Sequence, residues 1–187
     1  MTGIDPARLV FLDETSTPIT LTPLRARAPR GQRAVGSVPR GQRPHIAWLA
    51  TLTSRGIGES LLVRGTIDQR VFATFVERVL VPSLHPGQIE IVILDNLAVH
   101  KSAPARALIE EAGCHLVFLP PYSPDCTPIE LAFAKIKQAL RRRSARSWDA
   151  VVAAVADLLP AISATDAQAF FADAGFPLTV QELCTML

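Results

Sequence analysis

The sequence predicts an α/β chain, a mixed sheet flanked by helices with an α-helical C-terminal third. Three observations carry this. Two short apolar runs that stop at a carboxylate, RLVFL before Asp13 and IEIVIL before Asp95, read as buried strands. Between them, residues 31–64 alternate turn residues with β-prone runs such as HIAWLATLTS and ESLLVRG, which suits antiparallel strands. From residue 89 a strand, a helix and a further strand follow in the order that a parallel crossover requires.

The first strand is expected over residues 8–12, ending at Asp13. PRGQR occurs at 29–33 and again at 39–43, an echo too short for a repeat architecture and better read as two similar turns. Thr66-Ile67-Asp68-Gln69 has the form of a capping box, and Val71, Phe72, Phe75, Val76 and Val79 then recur at helical spacing as far as Pro82. After the strand at 89–94, Ser102 caps a helix that buries Ala105, Leu108, Ile109 and Ala112 and closes at Gly113. HLVFL at 115–119 is the next strand. A turn-rich stretch, PPYSPDCTP, leads into a helix over 128–143 with Ile129, Phe133, Ile136 and Leu140 on its apolar face. Helices at 147–159 and 165–174 complete the chain, the second closed by Gly175.

The length of 187 residues suits a single domain over 1–187, with the helices from about 147 onward as a C-terminal extension. Hydrophobic residues make up 49% and charged residues 19%, with a mean hydropathy of +0.26, which excludes a disordered chain. No apolar run reaches the roughly 18–20 residues that span a bilayer, and the N-terminus lacks the layout of a signal peptide. The expectation is a cytoplasmic protein that makes no membrane contact. Cys114, Cys126 and Cys184 are odd in number and lack zinc-site spacing, so reduced thiols are expected.

The net charge of +2 conceals two electrostatic characters. Between Glu14 and Glu59 lie Arg25, Arg27, Arg30, Arg33, Arg40, Arg43 and Arg55 with no acid among them. Between Glu130 and Asp149 lie Lys135, Lys137, Arg141, Arg142, Arg143 and Arg146, again with no acid. These stretches hold thirteen of the nineteen basic residues, which leaves the rest of the chain at −11. Arginine-rich, acid-free segments suit a phosphate backbone, through counterion release and the bidentate guanidinium fork. A solvated basic face is the plainer alternative.

Asp13 and Asp95 sit where predicted strands end, the edge at which open α/β sheets bind ligands. Glu130 lies in the first turn of a helix. Two strand-end aspartates and a helical glutamate suit hard divalent cations, and a pair of such ions serves phosphoryl transfer. Each member also has a structural explanation. Aspartate after a strand is a common turn residue, and Thr127-Pro128-Ile129-Glu130 reads as an N-cap, a first-turn proline and the reciprocal acid of a capping box. Capping does not explain why Glu130, Ala134, Lys137 and Arg141 share one face opposite the apolar stripe.

FLDET (11–15), ILDNLAVHK (93–101) and LPPYSPDCTPIELAFAKIK (119–137), with thirty-four residues between Asp95 and Glu130, closely resemble the catalytic domain of DDE transposases, specifically the bacterial insertion-sequence branch of the mariner-like superfamily. The resemblance covers nearly the whole chain. It implies an RNase H-like fold, with Asp13, Asp95 and Glu130 as catalytic residues and metal ligands for Mg²⁺, or Mn²⁺ in its place, in a pair. It draws in Asn96 and His100 as supporting residues, since DNxxxH belongs to the family pattern. Tyr122, Ser123 and Pro124 are expected to shape the loop that presents Glu130. Where the family commonly has an apolar residue and then Asn before Pro-Ile-Glu, this chain has Cys126 and Thr127.

The activity so implied is metal-dependent hydrolysis of a phosphodiester at transposon ends, followed by strand transfer into target DNA by 3′-OH attack. Lys137, Arg141, Arg30, Arg33 and Arg43 are the candidate DNA-binding residues. The implied partners are transposon-end and target DNA, and a second copy in a dimeric synaptic complex. An N-terminal helix-turn-helix module, usual in such enzymes, finds no room ahead of the first strand, so either a DNA-recognition protein from an upstream reading frame is a further partner or the chain is a truncated remnant. A catalytically silent DNA-binding remnant and a host RNase H-like nuclease are the alternatives.

Overall fold

The computed structural model describes residues 5–39, 44–85, 90–120 and 126–176. Five strands form one sheet in the order β3-β2-β1-β4-β5. β1 (Leu9–Pro18), β2 (His45–Thr53) and β3 (Gly56–Arg64) run antiparallel, while β4 (Ile91–Leu94) and β5 (His115–Phe118) run parallel to β1.

The centre of the sheet differs from expectation in one respect. β1 does not end at Asp13 but continues for ten residues in all. Leu9–Phe11 pair with β4, and Phe11–Pro18 pair with β2, which places Asp13 opposite Ala50 inside the ladder. Beyond Phe11 the strand is paired on one side only. The other side of Asp13 therefore opens beyond the end of β4.

Alternation along β1 divides two cores. Leu9 and Phe11 face Ile46, Trp48, Ala50 and Ile93, and that face is covered by α4 (Pro128–Arg143), α5 (Trp148–Leu158) and α6 (Ala164–Asp173). Val10 and Leu12 face Ala47, Leu49, Val92 and Leu94 under α1 (Gln69–Phe75), a π-helical segment at Val76–Leu80, α2 (Val81–Ser83) and α3 (Ala103–Glu111). The C-terminal helices pack directly on the sheet. Phe11 meets Phe171 and Phe176 edge-on with ring centroids 5.2 and 5.3 Å apart, and Trp48 meets Phe133 at 4.8 Å. Among the described residues no single helix is long and apolar enough to cross a membrane.

Local signals held in several places. Ser102 and Ser147 cap α3 and α5, and Gly113 and Gly175 take the left-handed conformation at helix ends. The cap at residues 66–69 sits two residues later than expected. Asp68, not Thr66, is the N-cap, and its carboxylate accepts from the amides of Arg70 and Val71 at 2.9 and 2.8 Å. Gly56 has φ +128°, and a Cβ there would lie 2.6 Å from the Ile162 carbonyl oxygen, so the β2–β3 hairpin touches the turn into α6 only because this residue is glycine. The loop at Tyr122–Pro124 lies outside the described residues.

Candidate active site

Asp13 points toward the α4 face, and Glu14, next along the strand, toward the α3 face. Asp13 is buried, and its Oδ1 accepts the Glu14 amide at 2.7 Å. Burial pushes its pKa up to about 7, against the pull of the Glu14 N–H, with Asp95, Glu130 and Glu14 adding repulsion. The three candidate carboxylates thus share one electrostatic neighbourhood.

Asp95 follows β4 directly. Its Oδ1 accepts the Leu97 amide at 3.1 Å and lies 2.5 Å from His100 Nδ1. The His100 ring is fully buried and stacks at a tilt on Phe72, with centroids 4.9 Å apart. It therefore meets Asp95 from inside the protein, while the Asp95 side chain stays 36% exposed. Asn96 is half-buried beside it.

Glu130 is exposed in the first turn of α4. The capping box expected with Thr127 does not form. Thr127 has φ −119° and ψ 89°, away from extended cap geometry, and its hydroxyl makes no cap bond. The fold builds a true capping box at Ser163 and Asp166 instead, where both reciprocal bonds are present.

Two turns further along α4 from Glu130, Lys137 Nζ donates to the Thr15 hydroxyl on β1. Burial lowers its pKa, as does the nearby Arg141, against the opposing pull of Glu130 and Asp13. A cavity of about 330 Å³ is lined by Asp13, Glu14, Thr15, Glu130, Phe133, Ala134, Lys137 and Arg141. The shared face read from the helix spacing is thus the wall of a cavity that also contains the first aspartate.

Other candidates lie elsewhere. Arg30 and Arg33 are exposed on an irregular segment and do not line the cavity, and Arg43 lies outside the described residues. Glu14 was not anticipated. It is half-buried, and its pKa is raised by burial and by Asp95 against the pull of His100. Its Oε2 and His100 Nε2 are buried without hydrogen-bond partners among the described residues. The signal for it was the alternation of β1, which turns the residue after Asp13 toward His100.

Among the described residues no three His, Cys, Asp or Glu side chains already converge as a closed metal cage. The donor set nevertheless fits a hard divalent cation. It offers only carboxylate oxygens, and a bound cation would offset both the burial that raises the Asp13 pKa and the added repulsion from Asp95 and Glu130. Glu130, exposed in the first turn of α4, lines the same cavity as Asp13.

Solved structures of Mos1 transposase share the fold. The Mos1 strand transfer complex superposes with a TM-score of 0.75 at 17% identity, covering 90% of this chain and 52% of that one. The Mos1 mariner paired end complex with Mn gives 0.70 at 17% identity, with 90% and 52% covered. The Mos1 catalytic domain with Raltegravir and Mn gives 0.66 at 16% identity, with 91% and 78% covered. The chain spans about half the length of the Mos1 chains in the complexes. The mixed five-stranded sheet with helices on both faces is the RNase H-like fold. No curated protein matches the sequence. Residues 8–152, most of the chain and all three candidate carboxylates, match the DDE superfamily endonucleases, and the chain belongs to that family.

Proposed function

We propose that this chain is the catalytic part of a DNA transposase, cutting a phosphodiester at transposon ends and joining the freed 3′-OH to target DNA. The observation that carries the reading is the cavity in which Asp13 and Glu130 face Lys137 and Arg141, with Asp95 close enough to shift the Asp13 pKa. The fold shared with Mos1 in complexes named for strand transfer and paired ends adds support.

Asp13, Asp95 and Glu130 would hold Mg²⁺ or Mn²⁺, which when bound as a pair supplies activation of the attacking oxygen and stabilisation of the leaving one. The rest falls to the chain. Lys137 and Arg141 line the wall beside the carboxylates and offer cationic donors to the phosphate oxygens as charge develops there. Thr15 holds the Lys137 ammonium in place. His100 and the Leu97 amide fix the rotamer of Asp95 from behind. In the first step water replaces the 3′ oxygen on phosphorus, releasing a 3′-OH and a 5′-phosphate. In the second that 3′-OH displaces a 3′ oxygen of the target, so one phosphodiester forms as one breaks. End DNA, a second copy and a separate DNA-recognition protein are the proposed partners.

The test is divalent-dependent nicking and strand transfer on DNA bearing the element's ends, with and without the upstream-frame protein. Wild-type activity that disappears in Glu130→Gln and Asp95→Asn supports the reading. Cleavage that persists in Glu130→Gln overturns the catalytic assignment, and a folded wild type inactive in every mixture favours the silent remnant.

A further inference from the structure

On the far side of Arg141 from the carboxylates lies a second, larger groove, about 580 Å³, lined by Pro23, Leu24, Arg25, Ala26, Arg27, Gln138, Arg141 and Arg142. It has no acidic residue in its wall. Arg141 belongs to both cavities, so the groove and the candidate active site are continuous through one side chain.

The segment that forms one wall is tethered at its root. The Ile19 amide donates to the Pro44 carbonyl at 3.2 Å, and Arg146 Nη1 donates to the Leu21 carbonyl at 3.0 Å. Ile19 and Leu21 pack on the core beneath α4. Arg25 and Arg27 are thereby held across from Arg141 and Arg142. None of these four makes an ion pair among the described residues, whereas Arg143 in the same turn pairs with Asp157 at 2.7 Å. The helix dipole favours cations in the last turn of α4 and accounts for Arg141 and Arg142. It does not account for two further arginines facing them, since like charges in one groove repel unless an anion lies between.

We infer that this groove binds the phosphodiester backbone of the DNA strand as it leaves the active site, with Arg25, Arg27 and Arg142 each taking a phosphate and Arg141 bridging to the scissile region. The inference rests on the transposase reading for its choice of DNA. Planar guanidinium forks match phosphate oxygens two at a time, and Gln138 adds a neutral donor to the same wall. Leu24, 79% exposed, offers an apolar contact to a sugar edge that a simple anion would not use.

The test is binding, free of chemistry. Affinity for a labelled end-bearing duplex is measured by anisotropy across a salt series in EDTA, for wild type, the triple variant Arg25→Gln/Arg27→Gln/Arg142→Gln, and the charge-matched control Arg70→Gln/Arg78→Gln/Arg106→Gln on the α1 and α3 side. Each lost phosphate contact lowers the slope of log K against log salt by about 0.9, so the triple variant should lose roughly 2–3 and the control much less. Thermal melts confirm that both variants fold. Equal slopes for wild type and triple variant, or equal losses in the triple variant and the control, overturn the groove assignment while leaving the catalytic reading standing. Polyglutamate of matched charge bound as tightly as DNA overturns the phosphodiester assignment. A wild type that shows no salt-dependent binding to any DNA, with or without the upstream-frame protein, removes the transposase reading as well.

Discussion

The imidazole of His100, buried under Phe72, sets its Nδ1 2.5 Å from Oδ1 of Asp95, so the half-exposed carboxylate is gripped by a ring that solvent does not reach. Partners behind a metal ligand typically govern affinity or activity by about 10–100-fold. His100→Ala should therefore weaken Mn²⁺ binding, followed by titration calorimetry, and slow cleavage by a factor in that range. His100→Asn places an amide nitrogen near the position of Nδ1 and should recover part of both. Equal losses in the two variants would reduce His100 to packing.

The raised pKa of Asp13 makes stability depend on pH in a definite direction. An acid whose folded pKa exceeds its unfolded value of 3.8 holds its proton more tightly when folded, so its contribution to stability falls as pH rises from about 4 to about 7 and is constant above. Without divalent ions, Asp13→Asn should be more stable than wild type at pH 8, by up to about 4 kcal/mol, and equal to it near pH 4. Melting curves in chelator check this. Adding Mg²⁺ should raise the melting temperature of wild type and not that of Asp13→Asn.

Lys137 lines the cavity beside the carboxylates with its ammonium held by Thr15. Thr15→Val removes the hydroxyl at nearly constant volume. The loss of one charge-assisted hydrogen bond, about 1.5–3 kcal/mol, predicts a fall in kcat/KM of roughly 10–100-fold, while Lys137→Ala should cost more. Steady-state kinetics of strand cleavage would decide, and an unimpaired Thr15→Val would mean that Lys137 is positioned by other contacts.

Gly56 approaches the Ile162 carbonyl where no side chain fits. Gly56→Ala should destabilise the chain by about 1–3 kcal/mol, seen as a drop of several degrees in melting temperature. The same substitution at Gly31, whose φ is also positive but whose surroundings are open, should cost less.

Helix α4 was legible to the residue, because a first-turn proline and an unbroken apolar stripe are both local signals. The length of β1 was not. Its outer half, DETSTP, is paired on one side only, so apolar character stops at Asp13 while the hydrogen-bonded ladder runs on to Pro18. The three carboxylates could be named from their motifs. The grip of His100 on Asp95 is short in sequence but depends on Phe72 and the buried end of β4, which no local pattern encodes. Of the candidate arginines Arg141 lines the cavity and Arg30 and Arg33 do not, because the run at 25–33 shows no periodicity and only the tether at Leu21 decides which of its members lie beside α4.

Phe11, two residues before the first candidate carboxylate, finds its ring partners at Phe171 and Phe176. During synthesis, at roughly 5–20 residues per second, more than 160 residues must follow Phe11 before those rings exist, a wait of about ten seconds or longer. The packing beneath the strand that carries Asp13 thus waits for residues 160 or more positions downstream. The nascent chain therefore carries its three candidate carboxylates well before it has the packing that positions the first of them.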